Sequence, residues 1–277
     1  MGLIKSTPCS MPWRWLPAVA EPLKVITRGR GPELVLLHGW AMHSGIWGGL
    51  LDSLSSAFSV NLVDLPGHGV NRHVPLSADL REVAGEILAR VPEAAWIGWS
   101  LGGLVTLAAA IQQPQRVQKA ILVGATPSFV RRPGWDCGVD SRACRAFSEA
   151  LVNNPAGTAE QFWSQCFGAP SVAESLRLLG KSSVMDDLPM STDLEAGLRL
   201  LYDNDLLAES GHCKVPTLFL GGARDRTILP ESFTRAAALM PAGEARVMRG
   251  AGHAPFITHR DAFLDIIRGY LNGDNAA

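Results

Sequence analysis

The chain has 277 residues, 47% of them hydrophobic and 18% charged, with a formal net charge of -1. Such a composition is too apolar for a disordered chain, and its near-neutral balance provides no global attraction to nucleic acid or an anionic membrane. The length suits one large domain, or one domain carrying a sizeable insertion.

Residues 1–20, MGLIKSTPCSMPWRWLPAVA, read as an N-terminal extension. No unbroken apolar run follows Lys5, so no secretory signal is expected, and Gly2 with Ser6 meets only a loose, frequent myristoylation pattern. No stretch reaches the roughly eighteen apolar residues of a membrane span. The five cysteines, Cys9, Cys137, Cys144, Cys166 and Cys213, form no CxxC pair and show no zinc-site spacing with histidine. Plain thiols in a cytoplasmic protein are expected, with no metal or other cofactor.

Along the chain, a weak edge strand at Val25–Thr27 precedes two short apolar runs, Leu34–His38 and Phe58–Val63. Leu80, Val83, Ala84, Ile87 and Leu88 then repeat at helical spacing over 78–90. Ala94–Trp99 is the next apolar run, followed by a helical pattern over 101–113 and another run at Lys119–Gly124. After a long gap come Pro216–Gly221, Ala245–Met248 and a closing helix marked by Phe263, Ile266, Ile267 and Tyr270. Runs of this kind, flanked by Gly, Pro and Asp, suit strands buried on both faces of a sheet. The expected fold class is α/β, a mostly parallel central sheet with helices on both faces.

Between Thr126 and about Val215 the alternation stops, and helical patterns replace it at 140–152, 157–167, 171–181 and 192–202. A structureless loop of that length is not credible. Residues 126–214 are expected to form a helical lid inserted between the core segments 21–125 and 215–277, near the strand ends where open α/β sheets bind ligands.

The chemistry is concentrated in Gly98-Trp99-Ser100-Leu101-Gly102-Gly103. GxSxG by itself is only suggestive, but here it lies between a strand and a helix, the context of a nucleophile elbow. Ser100 is the expected nucleophile. Backbone N–H groups already aimed at the developing oxyanion hold it best, and Leu101 and Trp40 are placed to supply two. Of the seven histidines, only His253, in Gly250-Ala251-Gly252-His253-Ala254-Pro255-Phe256, has a glycine-flanked position after a strand. Asp225 leaves the preceding strand and is expected to fix the tautomer of His253. His38 is read as a buried histidine bracing its loop, and Asp64 as holding the PGHG turn. A serine where dehalogenases and epoxide hydrolases carry aspartate excludes those two chemistries.

Arg131, Arg132, Arg142 and Arg145 gather at the start of the insertion, although 127–195 as a whole has six basic and nine acidic residues. Arg142 and Arg145 share a helix face and suit phosphate or carboxylate partners as well as a solvated surface. Phe129, Trp135, Phe162, Trp163 and Phe167 offer apolar bulk for the lid's underside.

LVLLHGW, NLVDLPGHG, WIGWSLGGLV, DLPMSTDLEAGLRLL and GHAPFITH together resemble the BioH-type pimeloyl-[acyl-carrier-protein] methyl ester esterases of bacterial biotin synthesis, in the α/β-hydrolase superfamily. The resemblance runs from near Leu34 to the last helix. It implies a Ser100–Asp225–His253 triad, an oxyanion hole bordered by Trp40 and Leu101, and Phe162 lining an acyl channel beside Trp40. The implied partner is an acyl-carrier protein bearing a pimeloyl methyl ester, besides small ester substrates. Lid arginines, here Arg142, Arg145 and Arg177, would hold its phosphopantetheine and acidic helix. The chain departs from the family at Gly157 and Gln161, where basic residues are expected; Arg177 and Lys181 fall in the next lid helix. The same triad also serves generic carboxylesterases, lactonases and thioesterases.

Overall fold

A parallel sheet of apolar strands is stable only when helices cover both of its faces, and the chain supplies strand and helix in that alternation. The computed structural model describes residues 21–167 and 187–273. Seven strands form one sheet in the order β1-β3-β2-β4-β5-β6-β7. They are β1 (Val25–Arg28), β2 (Glu33–Leu37), β3 (Ser59–Val63), β4 (Ala94–Trp99), β5 (Val117–Val123), β6 (Thr217–Gly222) and β7 (Gly243–Met248). Only the edge strand β1 runs antiparallel, against β3; every other pairing is parallel. All six residues of β4 and all six of β6 are buried, as continuous apolar runs require.

The strand order reverses at β2 and β4, which are paired with Leu37 beside Gly98. That is the topological switch point, so the loops following these two strands open into one crevice. The chain leaving β2 carries Trp40 and the chain leaving β4 carries Ser100, which places both in the crevice.

The core helices are α1 (Gly48–Ser55), α2 (Leu80–Leu88), α3 (Leu101–Gln112), and, after the insertion, α8 (Pro230–Leu239), α9 (Pro255–Thr258) and α10 (Arg260–Asn272). Asp79 caps α2, accepting from the Arg81 and Glu82 N–H groups. From Leu101 to Ala110, α3 is buried all round, which explains its lack of a polar face. Three core helices, α1, α8 and the four-residue α9, escape the sequence reading. In α1, Gly48 and Gly49 lower the intrinsic preference and no side chain caps the start. For α8 a signal was present: Pro230 at the first turn with Glu231 behind it is a helix-start pattern.

The inserted lid contributes α4 (Ser141–Asn153), α5 (Pro155–Phe167), α6 (Ser191–Asp203) and the short α7 (Leu207–Ser210). Helix α4 packs on α5 and α6, and α6 rests on α3. The Leu206 N–H donates to Pro127 O at 3.0 Å, joining the two ends of the insertion. The extension 1–20, the helix expected at 171–181, Arg177 and Lys181 lie outside the described residues.

Candidate active site

Ser100 links the end of β4 to the start of α3 with φ 54° and ψ -116°, a conformation that L-residues rarely hold. Sterics explain why the motif needs glycine on either side. A Cβ on Gly98 would lie 2.2 Å from Gly102 O, and one on Gly102 would lie 2.4 Å from His38 O. Strand, turn and helix therefore meet with no room for side chains. The Ser100 N–H donates to Val123 O at 2.8 Å, and Ser100 O accepts from Gly103 and Leu104, so the turn is held from both sides.

Asp225 follows β6 and His253 follows β7. Their side chains are fully buried, with Asp225 Oδ2 2.8 Å from His253 Nδ1. The other carboxylate oxygen, Oδ1, accepts from the Thr227 and Ile228 N–H groups at 2.8 and 2.9 Å. The carboxylate is thus fixed before it meets the ring, and its contact with Nδ1 leaves Nε2 as the free ring nitrogen. Nε2 is buried without a hydrogen-bond partner. The ring is seated from the serine side: Trp99 Nε1 donates to His253 O at 2.9 Å, and the Trp99 and His253 rings lie 5.7 Å apart. It also abuts Gly124, where a Cβ would come within 2.9 Å of Nδ1.

On the opposite wall, Ala41 adopts a left-handed φ of 57° as the chain turns over the serine. Among the described residues, the Trp40 and Leu101 backbone N–H groups have no hydrogen-bond acceptor. Beneath this loop His38 is wholly buried, its Nδ1 2.8 Å from Gly39 O and its Nε2 accepting from the Leu65 N–H at 2.9 Å. Burial, and then the neighbouring His68, push the His38 imidazole down to about 3, consistent with a neutral ring that braces the loop. Burial alone would raise the Asp64 carboxyl, but His38 and the Val70 and Ser44 N–H groups outweigh it and hold it below the ordinary range. Asp64 accepts from Ser44 and Val70, tying the loop after β2 to the turn after β3.

A cavity of about 180 Å³ opens at Ser100, walled by Trp40, Phe129, Phe147, Phe162, Leu198 and Leu201, with Gln165, Tyr202, Arg226 and Thr227 as its principal polar members. Trp40 meets Phe162 and Phe147 edge-on at 5.4 and 5.5 Å, and its Nε1 donates to Leu194 O of α6 at 2.8 Å. Ser100, Trp40 and Phe162 line this space; Leu101 directly follows Ser100, and His253, bonded to Asp225, has its ring 6.3 Å from that of Phe162. Trp135, Trp163 and Phe167 are instead buried packing. Arg131 and Arg132 bond to Gly138 O and Tyr202 O within the insertion. Arg142 and Arg145 stand exposed on α4 away from the cavity, Arg142 beside Asp140 at 3.4 Å. Sequence reasoning missed Arg226 and Thr227, although both directly follow Asp225. It also missed Leu198, Leu201 and Tyr202, which repeat at helical spacing with Leu194.

A GxSxG elbow at the switch point of a mostly parallel sheet, with a buried acid–histidine pair in the loops after β6 and β7, defines an α/β-hydrolase of the serine type. The chain belongs to the alpha/beta hydrolase family, whose profile matches residues 34–266, and is a homologue of the BioH-type esterases within it. It is 40% identical to the pimeloyl-[acyl-carrier protein] methyl ester esterase of Stenotrophomonas maltophilia (strain K279a), over 84% of this chain and 90% of that one. Identity to the protein of the same name from Xylella fastidiosa (strain M12) is 38%, over 88% and 96% of the two chains. Among solved structures, a hydrolase from Oleispira antarctica superposes with a TM-score of 0.81 at 18% identity, over 92% of this chain and 96% of that one, a likeness of fold alone. The protein is a serine-type carboxylic ester hydrolase. No helix among the described residues is long and apolar enough to cross a membrane.

Proposed function

We propose that the protein hydrolyses the methyl ester of a pimeloyl chain carried on an acyl-carrier protein, with Ser100, His253 and Asp225 as the triad. The observation that carries the chemistry is the buried Asp225–His253 pair, which leaves Nε2 unpartnered beside the Ser100 elbow. The substrate is supported by the names and 37–40% identity of the curated relatives.

Nε2 takes the Ser100 proton as Oγ attacks the ester carbonyl, and the Trp40 and Leu101 N–H groups receive the oxyanion. Collapse expels methanol, which takes its proton from His253. Water, deprotonated by the same nitrogen, then frees the carboxylic acid from the acyl-enzyme. The apolar walls at Trp40, Phe147 and Phe162 suit the methylene chain. Exposed Arg142 and Arg145 suit the acidic surface of the carrier protein.

The test measures methanol release from the carrier-protein conjugate and from the free methyl ester. A clear preference for the conjugate is expected. Equal kcat/KM on both would return the protein to the generic esterases. Ser100→Ala should abolish turnover and phosphonate labelling and leave the circular dichroism spectrum unchanged; surviving turnover would exclude Ser100 as the nucleophile.

A further inference from the structure

A second, larger cavity of about 640 Å³ shares two of its walls, Gln165 and Arg226, with the space at Ser100. Its other side chains include Arg224, Gln161, Ser164 and His259. Two guanidinium groups and an imidazole face this groove, and no carboxylate is among its described lining residues. In a chain whose charges nearly cancel, the groove is locally basic. Ser164, another residue of the groove, has its Oγ buried with no hydrogen-bond partner. Gly250 and Gly252, which bring no side chains, form the groove's far wall.

We propose that this groove binds the phosphate of an extended thioester-bearing arm whose acyl end reaches Ser100. Arg224 and Arg226 meet the phosphate with charge-assisted, fork-shaped donor sets, and Ser164 and Gln161 supply neutral hydrogen bonds along the arm. Arg226 and Gln165 belong to both spaces, so in this proposal the arm runs along the wall they share, from the apolar cavity to the basic groove. The loop that positions Asp225 thereby also presents the anion site, one residue to either side of the acid. Identifying the arm with a carrier protein's prosthetic group rests on the esterase reading above; the charge of the groove does not.

Both arginines are exposed, so replacing them leaves the core intact. The experiment titrates the full-length protein with 4′-phosphopantetheine, pantetheine and inorganic phosphate, alongside Arg224→Ala/Arg226→Ala and Arg142→Ala/Arg145→Ala. Phosphopantetheine is expected to bind at least about tenfold more tightly than pantetheine, from charge-assisted contacts at the phosphate. The advantage should vanish in the Arg224/Arg226 variant, persist in the Arg142/Arg145 variant, and shrink with added salt. Equal binding of the two ligands, an advantage that survives loss of Arg224 and Arg226, or inorganic phosphate binding as tightly as phosphopantetheine would each overturn the proposal. Methyl-ester turnover is read separately: discrimination without turnover sinks the esterase reading alone, and turnover without discrimination sinks the groove alone.

Discussion

At the scale of single residues, Asp225 does two jobs with two oxygens. Oδ1 is committed to the backbone N–H groups of Thr227 and Ile228, and Oδ2 to the histidine. In Asp225→Asn the amide oxygen keeps the backbone bonds, but its NH2 group then faces Nδ1. The ring responds by placing its proton on Nε2, which then cannot take the proton of Ser100. A loss of roughly 10²–10⁴ in kcat is expected with little loss of stability, measured on a small methyl ester alongside a thermal melt. Activity within a few-fold of wild type would remove Asp225 from the triad. Residues of this kind were legible in the sequence because each is announced locally, Ser100 by its glycines and Asp225 and His253 by the ends of apolar runs. Arg226 was not, because nothing in its neighbours says that its side chain turns toward the cavity.

Among elements, the joint between lid and core is the sensitive one. Helix α6 presses Gly197 against Trp40, and Leu194 O of the same helix accepts the Trp40 indole N–H. A Cβ at position 197 would lie 2.7 Å from Trp40 Cδ1, closer than atoms tolerate, so either the indole or the helix must shift. Gly197→Ala is therefore expected to lower kcat/KM for small esters several-fold. The helix itself gains about 1 kcal/mol of propensity, so the melting temperature should not follow the activity down. Parallel loss of both would mark Gly197 as packing alone. Helix α4 makes a different prediction. Its cavity face carries Ala143 and Phe147, while Arg142 and Arg145 face solvent. Changing both arginines to Ala should raise KM for the carrier-protein conjugate and leave a small free ester unaffected, with the difference fading as ionic strength rises. An unchanged KM for the conjugate would return them to plain surface. Lid helices α4, α5 and α6 were legible from periodicity, each within two residues at both ends, whereas the four-residue α7 is too short to show a period and α1 was hidden by its paired glycines.

For the molecule as a whole, the buried histidines under the active-site loop set an acid limit. His38 falls from its ordinary value of 6.5 to about 3 in the folded protein, chiefly through burial, and His68 is lowered for the same reason. The unfolded chain binds these protons first, so folding stability is fully present above about pH 6.5 and declines as pH drops toward 3. Asp64, held below its ordinary range, adds stability that is lost at still lower pH. The His38 contribution is on the order of a few kcal/mol. His38→Gln retains a donor for Gly39 O and an acceptor for Leu65 N–H without a titrating ring. Urea unfolding at pH 7 and pH 5 should show a smaller difference for this variant than for wild type; an equal difference would place the acid sensitivity elsewhere.

What the sequence by itself determined is whatever short-range pattern encodes: strands as buried apolar runs, the serine elbow through its glycines, the order of acid and base, and an insertion too long to be a loop. Those features depend on residues close together in the chain, where sterics and periodicity leave few alternatives. Only the tertiary structure decided that β2 and β4 lie side by side, so that the Trp40 and Ser100 turns face one crevice. Only it decided that α6 lies against Trp40, and that Arg224 and Arg226 border a groove sharing Gln165 and Arg226 with the space at Ser100. Those contacts join segments that are distant in the chain, and their existence depends on how the sheet is ordered and the lid is laid over it. No local pattern carries that information, because the same helix or loop would have the same propensities wherever it docked.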